Sequence, residues 1–457
     1  MQLRDYQQDL IDRTRQEFAL GRKKVLMQSP TGSGKTVTFV HIIANAIAKG
    51  KKVLILAHRK ELIEQAWRTL KKADIVAGIV MAGIGENLNL SVQVASVQTL
   101  VRRLDRPLPD FDLIVIDEAH HTSSNSYTTI LSRFPKAFVL GVTATPCRLD
   151  GKGLGDLFES LVHGEQISAL IDQGHLVKPI YASTEGLDLS GVKITAGDYN
   201  KAALIDAVHT SQINGELVSH WRQFANGMQT IVFAVDCEHS REIVQAYTDA
   251  GISAAHVDGE SPPDYRRHII EKFGAKEITI LSNVGIFTEG FDIPAIECVQ
   301  LARPTKSTSL YFQMVGRALR PSPGKTHAII LDHVNAYHDH GSVADPFVWE
   351  LEITRKKRSR EVGETDPDKP IKERIINADG SIQLVLVGEN EDIEWLKKLQ
   401  ELVGIMAKNG YERTWVYHRF IRDFPDPTLE QLNIMGKAIK CHWKWAARMF
   451  EVHHERA

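Results

Sequence analysis

Short apolar runs alternate with amphipathic stretches from residue 4 to about residue 349, and this alternation limits the fold more than any other feature. Runs such as residues 53–57 contain no polar side chain, which is typical of strands buried on both faces. The stretches between them, such as residues 35–48, have the length and pattern of helices. Strands and helices in this order form βαβ units with right-handed crossovers, and such units build a parallel sheet.

Two such regions follow one another, and a third region differs from both. The predicted strands are residues 24–27, 53–57, 91–95, 113–116 and 137–142 in the first region, and residues 230–234, 254–257, 279–282, 298–301 and 328–331 in the second. The sequence therefore predicts an α/β fold with two parallel-sheet domains, residues 1–175 and 176–350. Residues 351–457 are predicted to form a basic linker, a small hairpin at 382–387 and a small, mainly helical domain.

Composition narrows the class of protein. Hydrophobic residues make up 43% and charged residues 25% of the chain, which is ordinary for a soluble globular protein. No apolar run approaches the roughly 20 residues of a membrane-spanning helix, and no secretory signal is visible at the N-terminus. The four cysteines form no CxxC pair, so we expect no zinc ribbon or other structural zinc and no disulfide framework, and a cytoplasmic setting fits best.

Residues 29–36 form a glycine-rich loop between a predicted strand and a predicted helix, which is the context of a phosphate-binding P-loop. The glycines allow a tight turn that exposes backbone N–H groups, and the helix N-terminus adds partial positive charge. Lys35 would hold the β- and γ-phosphates of ATP, and the Thr36 hydroxyl would bind Mg²⁺. The predicted nucleotide contacts in the loop are Thr31, Gly32, Ser33, Gly34, Lys35 and Thr36. The alternative is a glycine-rich turn that binds nothing.

An apolar strand that ends in two acids supplies the second half of an ATP site. Residues 114–116 are apolar, and Asp117 and Glu118 follow directly. We expect Asp117 to hold Mg²⁺ and Glu118 to orient and deprotonate the attacking water. An acidic pair at a strand end can also be a solvated turn, but the loop upstream favours the catalytic interpretation.

Seven short motifs occur in a fixed order along residues 1 to about 350. They are 4–7 (RDYQ), 57–59 (AHR), 96–99 (SVQT), 117–120 (DEAH), 143–146 (TATP), 288–292 (TEGFD) and 313–320 (QMVGRALR). In this order they resemble the motifs of the DEAD/DEAH-box motor proteins of helicase superfamily 2. The resemblance implies two tandem RecA-like domains with ATP and Mg²⁺ as cofactors, and residues 143–146 as the segment that couples the domains.

The resemblance also implies roles for individual residues. Arg4 and Gln7 would recognise the adenine base, and Gly290 and Asp292 would contact the nucleotide from the second domain. The catalytic residues implied are Lys35, Asp117, Glu118, His120, Gln313, Arg317 and Arg320. Arg317 and Arg320 would act as arginine fingers, because charge that develops on the γ-phosphate needs a cation that arrives when the domains close. The alternative for these two arginines is a solvated helix surface.

Several residues are candidates for contacts with nucleic acid, and their net effect must be local because the whole chain carries a formal charge of only −2. Arg59, Gln98 and Thr99 are the candidates in the first domain, and Asn283 and residues 305–307 are those in the second.

Near the C-terminus, a helix pattern would place four cations on one face, with Trp445 beside them: Lys437, Lys440, Lys444 and Arg448. A solvated face is the alternative for this helix, and the basic run 355–360 could equally bind phosphates or keep a linker soluble. Trp415, Tyr417 and Phe420 are expected to be core rather than a stacking platform.

Within the superfamily, the chain looks closest to RadD-like and type III restriction-like DNA motors, especially phage-encoded ones. It lacks the cysteine-rich zinc module of RadD-like proteins and any PD-(D/E)xK-type nuclease pattern. We therefore expect an ATP-dependent DNA helicase or translocase that acts on single-stranded, duplex or forked DNA in a bacterial or phage-infected cytoplasm, with replication or recombination proteins as candidate partners. An RNA helicase, or an ATP-gated nucleic-acid-binding adaptor that does not unwind, are the alternatives.

Overall fold

Two seven-stranded sheets dominate the computed structural model. The structure describes residues 3–122, 125–148, 151–183, 192–195, 197–210, 213–287, 296–352 and 385–387, together with residues 398–399, 402, 406, 416–417, 419–420 and 435. The predicted α/β fold with two tandem RecA-like sheet domains is confirmed. The boundaries near residues 175 and 350 stay predictions.

The first sheet is parallel throughout and has the order β3-β4-β2-β5-β6-β1-β7. Its strands are β1 (Lys24–Gln28), β2 (Val53–Ala57), β3 (Ala77–Val80), β4 (Val92–Ser96), β5 (Leu113–Asp117), β6 (Phe138–Thr143) and β7 (Ser160–Val162). Every residue of β2 and β5 is buried, because both faces of the sheet are covered by apolar clusters. All five predicted strands are present with ends that differ by at most one residue, while the two edge strands β3 and β7 were not predicted.

The second sheet has the order β12-β13-β11-β14-β15-β8-β16 and is parallel except for its last strand. A separate two-stranded hairpin, β9 with β10, lies between β8 and the rest of the sheet in sequence. The strands are β8 (Lys178–Ser183), β9 (Ile194–Thr195), β10 (Asp198–Tyr199), β11 (Thr230–Phe233), β12 (Ala254–Val257), β13 (Ile280–Asn283), β14 (Cys298–Leu301), β15 (His327–Asp332) and β16 (Val385–Val387). The two sheets with their helices are called the first lobe and the second lobe below.

Helices connect the strands and cover the sheets. They are α1 (Asp5–Ala19), α2 (Lys35–Ala48), α3 (Lys60–Lys72), α4 (Val97–Leu100), α5 (Asn125–Arg133), α6 (Ile167–Asp172), α7 (Lys201–Thr210), α8 (Ile213–Phe224), α9 (Cys237–Asp249), α10 (Pro263–Gly274), α11 (Thr308–Gly316) and α12 (Ala336–His340). The surface helices bury one stripe each, as in α3, where Leu62, Ile63, Ala66 and Leu70 face the sheet. In contrast, α11 is buried at all nine of its positions, because it lies between the lobes.

Part of the C-terminal region packs onto the second lobe. Tyr417 and Phe420 belong to the same apolar cluster as the second-sheet residues Val232 and Leu331. They are core residues, but of the second lobe, whereas the core of a separate small helical domain was predicted. Residues 385–387 pair antiparallel with β8 and extend the second sheet, whereas a separate hairpin was predicted there. The basic run 355–360, Trp415 and the helix with Lys437, Lys440, Lys444, Trp445 and Arg448 lie outside the described residues.

Candidate nucleotide site between the two lobes

The glycine-rich loop follows β1 at the carboxyl end of the first sheet and leads directly into α2. Its first residue is tied to the neighbouring strand, since Ser29 N donates to Thr143 O at 2.9 Å. Gly32 and Gly34 have φ angles of 88° and 85°, a backbone conformation that side chains with a Cβ rarely adopt. These two positions let the loop turn sharply into the N-terminus of α2, which is an anion-binding arrangement.

The start of α1 supports the loop from below. The Tyr6 hydroxyl and Gln7 Nε2 both donate to Ser33 O, at 2.7 and 2.9 Å. A Cβ on Gly34 would lie only 2.5 Å from Gln7 Nε2, so this glycine is also required for close packing. Gln7 is buried and holds the loop, whereas Arg4 is exposed with its guanidinium 3.1 Å from the Tyr6 hydroxyl. Their predicted recognition of adenine stays a prediction.

Asp117 and Glu118 end β5 beside this loop. Glu118 has a left-handed backbone with φ of 52°, a strained conformation that costs about 1 kcal/mol for a residue with a Cβ. It reverses the chain directly after the strand and brings Glu118 Oε1 to 3.5 Å from Lys35 Nζ. Asp117 Oδ1 accepts a hydrogen bond from Glu118 N at 3.0 Å. A hydroxyl and a carboxylate are hard oxygen ligands of the kind that Mg²⁺ prefers, so Thr36 and Asp117 fit the predicted metal role.

A chain of polar contacts joins these acids to the second lobe. His120 Nδ1 lies 3.0 Å from Thr143 Oγ1 and 3.4 Å from Glu118 Oε2. Its other ring nitrogen lies 3.3 Å from Gln313 Nε2 of α11. Thr145 Oγ1, in the segment that was predicted to couple the domains, lies 2.5 Å from Ser309 Oγ of the same helix. The acidic strand end and the second lobe are therefore connected through buried hydrogen bonds.

Helix α11 and the turn after it lie directly against the glycine-rich loop. A Cβ on Gly316 would lie 2.8 Å from Thr31 Cβ, and a Cβ on Gly32 would lie 3.3 Å from Arg320 Cγ. Arg317 is 6% exposed. Gly316 and Arg320 thus lie against the phosphate-binding loop although they belong to the other lobe, and Arg317 is buried directly after Gly316. The catalytic role of Arg317 and Arg320 stays a prediction.

Lys325 holds the turn that carries Arg320. Its Nζ donates to Arg320 O at 2.7 Å, to Ile296 O at 2.6 Å and to Ala318 O. Burial lowers the pKa of Lys325 to about 8; the Glu297 charge opposes this shift and the Arg320 charge adds to it. The ammonium group uses three N–H bonds for three carbonyls, and so fixes the backbone of an arginine that faces the nucleotide loop.

The candidates for nucleic-acid contacts have varied surroundings. Arg59 Nη1 donates to Gly285 O of the second lobe at 3.2 Å. Gln98 is exposed and donates to His58 O at 3.0 Å, with Thr99 beside it at intermediate exposure. Asn283 is fully buried, and its amide donates to Val232 O and accepts from Phe287 N. The structure therefore gives the Asn283 side chain an internal role rather than the predicted strand contact.

Residues 305–307 likewise have structural roles. Thr305 is buried and donates to Asp198 at 2.9 Å, and Ser307 caps the N-terminus of α11. Lys306 pairs with Asp339 at 2.7 Å. The predicted contacts Gly290 and Asp292 lie outside the described residues.

Sequence reasoning missed four residues that shape the crevice: Tyr6, Arg266, Ser309 and Lys325. Arg266 of α10 pairs with Glu61 of the first lobe at 2.5 Å. Tyr6 lies inside the recognised RDYQ motif, so it could have been named. The other three stand at positions that no periodicity or spacing distinguishes. The contacts of Arg266 and Ser309 form only where the lobes dock, and those of Lys325 only where its turn closes on three carbonyls.

Comparisons with known proteins agree with this arrangement. Residues 1–148 match the family of the res subunit of type III restriction enzymes, and residues 212–322 match the helicase conserved C-terminal domain. A Saccharomyces cerevisiae protein with the provisional name ATP-dependent helicase IRC3 is 39% identical over 73% of this chain, and the match spans 52% of that protein, about half its length. A 51.5 kDa protein of Lactococcus phage (isolate 7-9) is 34% identical, over 69% of this chain and 67% of its own.

Solved structures show the same fold. A fragment assigned as the HsdR subunit of a type I restriction enzyme from Vibrio vulnificus superposes with a TM-score of 0.60 and 25% identity, over 76% of this chain and 67% of that fragment. The restriction-modification enzyme LlaBIII gives a TM-score of 0.56 at 20% identity, over 73% of this chain and 28% of its own. Within the described ranges, no helix is both long and apolar enough to cross a membrane. The shared motifs, fold and relatives together show that this chain belongs to the superfamily 2 helicases, in the group that includes the res subunits of type III restriction enzymes.

Proposed function

We propose that this protein hydrolyses ATP in the crevice between the lobes and uses the energy to move along, and to separate, DNA strands. The observation that carries the proposal is the contact of α11 and its following turn with the glycine-rich loop, where Gly316 meets Thr31 and Arg320 meets Gly32. A nucleotide on this loop would touch both lobes at once. Its state would therefore control how the lobes are held together.

The residues of the first lobe would bind and activate. Lys35 and the backbone N–H groups of residues 31–36 would hold the phosphates, and Thr36 and Asp117 would hold Mg²⁺, which would neutralise phosphate charge when bound. Glu118 would accept a proton from the attacking water. His120, held by Thr143, lies within hydrogen-bond reach of both Glu118 and Gln313. It would therefore couple the protonation of Glu118 to the position of Gln313 in the second lobe.

The second lobe would complete the site. Arg317 and Arg320 would place positive charge at the γ-phosphate as it leaves, which is the step that an arginine finger accelerates. After hydrolysis this attraction is lost, and the lobes would separate. Each lobe would bind the nucleic acid by its own surface. Repeated closing and opening of the lobes would therefore move one binding surface relative to the other along the strand.

DNA is the favoured substrate because of the names of several relatives. Two are endonuclease subunits of type I restriction enzymes of Escherichia coli, at 24% and 25% identity, and one is a DNA 3′-5′ translocase of Sulfurisphaera tokodaii at 24% identity. One relative in a mimivirus has a name that describes an RNA helicase, at 25% identity. RNA is therefore the substrate to be compared directly with DNA.

The test compares ATP hydrolysis by the full chain with single-stranded DNA, duplex DNA and single-stranded RNA, at equal nucleotide concentration. We expect DNA to stimulate hydrolysis more than RNA does, and Lys35→Ala to remove the stimulation. A forked DNA with one labelled strand then measures strand separation by the protein alone. Stronger stimulation by RNA would overturn the DNA proposal, and ATP hydrolysis without movement or strand separation would leave only the gated adaptor.

A further inference from the structure

Three side chains with metal-binding atoms converge at the carboxyl end of β12 in the second lobe. Cys237 is the first residue of α9, His256 lies in β12, and Asp258 follows that strand. One ligand atom from each lies within 4.8 Å of the other two. Loops at the carboxyl ends of parallel strands are the usual position of ligand sites in such sheets.

Hydrogen bonds orient the Asp258 carboxylate with one oxygen anchored and one directed into the cluster. Oδ1 accepts from Glu260 N at 3.0 Å and from both Ser261 N and Ser261 Oγ at 2.7 Å. Oδ2 lies 3.0 Å from His256 Nε2. The carboxylate is therefore held in place by donors to Oδ1, while Oδ2 stays on the side of His256.

The imidazole of His256 is fixed in the same way. Its Nδ1 lies 2.7 Å from Ser240 Oγ, and that hydroxyl lies 2.6 Å from Ser282 Oγ. Histidines that bind metals almost always have the other ring nitrogen held by such a partner, because it fixes the orientation of the ring. The bond to Ser240 leaves His256 Nε2 on the side of Asp258 and Cys237.

We propose that Cys237, His256 and Asp258 bind one divalent ion of the zinc class, with water as the fourth ligand. A thiolate, an imidazole and a carboxylate suit Zn²⁺ or Co²⁺, whereas Mg²⁺ prefers oxygen ligands only. The site is distinct from the predicted Mg²⁺ position at Thr36 and Asp117. The proposal does not depend on which nucleic acid the protein acts on.

The ion would brace a loop that contacts the first lobe. The carbonyls of Gly259 and Ser261, both in the turn that follows Asp258, accept from Arg266 Nη2 at 3.2 Å. The other terminal nitrogen of Arg266 pairs with Glu61 of the first lobe at 2.5 Å. A metal that fixes Asp258 would therefore stiffen the support of this contact between the lobes.

The sequence predicted no structural zinc, because its cysteines form no CxxC pair, and the proposed ion departs from that prediction. A ribbon takes pairs of ligands from one turn, whereas this cluster takes one ligand from a helix N-terminus and two from a strand end. The three meet because α9 packs across β12 and β13.

The direct test is titration of the metal-free full chain with Co²⁺, followed by the near-ultraviolet absorption of the cobalt–thiolate bond. We expect one Co²⁺ per chain with this absorption, displaced by Zn²⁺. Cys237→Ser should abolish the absorption, whereas Cys147→Ser, a matched change of a described cysteine that is not part of the cluster, should keep it. Absence of the absorption in the wild-type protein, or its survival in Cys237→Ser, would overturn the proposal.

Two further variants keep the test valid if Cys237→Ser folds poorly. Asp258→Asn should weaken Co²⁺ binding strongly, and Ser240→Ala should weaken it by about 10- to 100-fold, the usual effect of removing a partner behind a metal ligand. Circular dichroism of each apo variant reports folding separately. Equal Co²⁺ affinity in Ser240→Ala, Asp258→Asn and the wild type would contradict the proposal even if the ATPase activity were unaffected.

Discussion

The two lobes have the same sheet architecture, but they contribute differently to the crevice between them. The first lobe supplies the phosphate loop from the end of β1 and the acids Asp117 and Glu118 from the end of β5. The second lobe supplies mainly one element, α11 with the turn after it, which carries Gln313, Arg317 and Arg320. In the first lobe the predicted chemistry lies at strand ends, and in the second it lies on a buried helix and the turn after it.

This difference suggests a division of tasks. A lobe that presents a loop and acids at the end of its own sheet could bind a nucleotide by itself. Arg317 and Arg320 follow a helix whose nine residues are all buried, so their charges can contribute to the site only where the lobes are in contact. Substitutions in the first lobe should therefore impair binding or the activation of water, whereas substitutions in the second should spare binding and impair turnover.

The largest expected effect is that of Arg317→Ala. Loss of an arginine finger should lower kcat for ATP hydrolysis by about 10³- to 10⁵-fold, while the affinity for ATP stays close to that of the wild type. A fluorescent ATP analogue measures binding, and single-turnover hydrolysis measures chemistry. Arg317→Lys is the matched control that keeps the charge but loses the planar fork. If Arg317→Ala lost ATP binding instead, the proposed division between the lobes would be wrong.

Glu118→Gln tests the first lobe. The change keeps the shape of the side chain but removes the base, so hydrolysis should fall by about 10²- to 10⁴-fold while ATP and DNA are still bound. Glu277→Gln, at an exposed position, controls for the loss of one acid. If Glu118→Gln hydrolysed ATP at the wild-type rate, a group other than Glu118 would have to activate the water.

Lys325 should make the contribution of the second lobe depend on pH, because its charge determines how well it holds the turn that carries Arg320. Above a pH of about 8 its amine is neutral and has two N–H bonds for three carbonyls, so ATPase activity should fall by about tenfold, equivalent to about 1.4 kcal/mol. Lys325→Arg stays charged and should lack this decline.

The titration of Lys325 also changes the free energy of unfolding. The direction of that change distinguishes the expected loss of ATPase activity from a loss caused by unfolding. The pKa of Lys325 is lower in the folded chain than its ordinary value of 10.5, so between these two pH values the unfolded chain binds more protons. Its contribution to the free energy of unfolding therefore rises with pH in this window. If ATPase activity above a pH of about 8 fell equally in the wild type and in Lys325→Arg, the decline would not be caused by Lys325.

The smallest expected effect concerns the contact between Thr145 and Ser309. Thr145→Val and Ser309→Ala should each lower DNA-stimulated hydrolysis by about fivefold, the equivalent of about 1 kcal/mol for one hydrogen bond. The double variant should be no worse than either single variant, because both remove the same bond. Thr128→Ala, in which an exposed hydroxyl is lost, should have no effect. Fully additive losses would show that the two side chains act independently.

The parts that the sequence predicted well are those with a local signal. Continuous apolar runs identified β2 and β5 because a strand buried on both faces has no polar positions, and Gly32, Gly34 and Lys35 were found because the turn and the helix start are local. The short edge strands β3 and β7 were missed, since a few half-buried residues have no clear pattern.

Contacts between distant segments could not be predicted in the same way. Asn283 at the end of β13 was expected to face a nucleic-acid strand, but its amide bonds two backbone groups inside the second lobe. Ser309 and Lys325 gain their roles only when the lobes dock or a turn closes on three carbonyls. Such roles depend on packing that residue type and spacing do not encode.

The central claim is that both lobes hold the same nucleotide. A crystal or cryo-electron microscopy structure of the full chain with ADP, AlF₄⁻, Mg²⁺ and single-stranded DNA would test it most directly. The account predicts that the nucleotide and its fluoride group contact Lys35 and, at the same time, Arg317 or Arg320. A nucleotide held by the first lobe alone, with both arginines beyond hydrogen-bond distance, would contradict it.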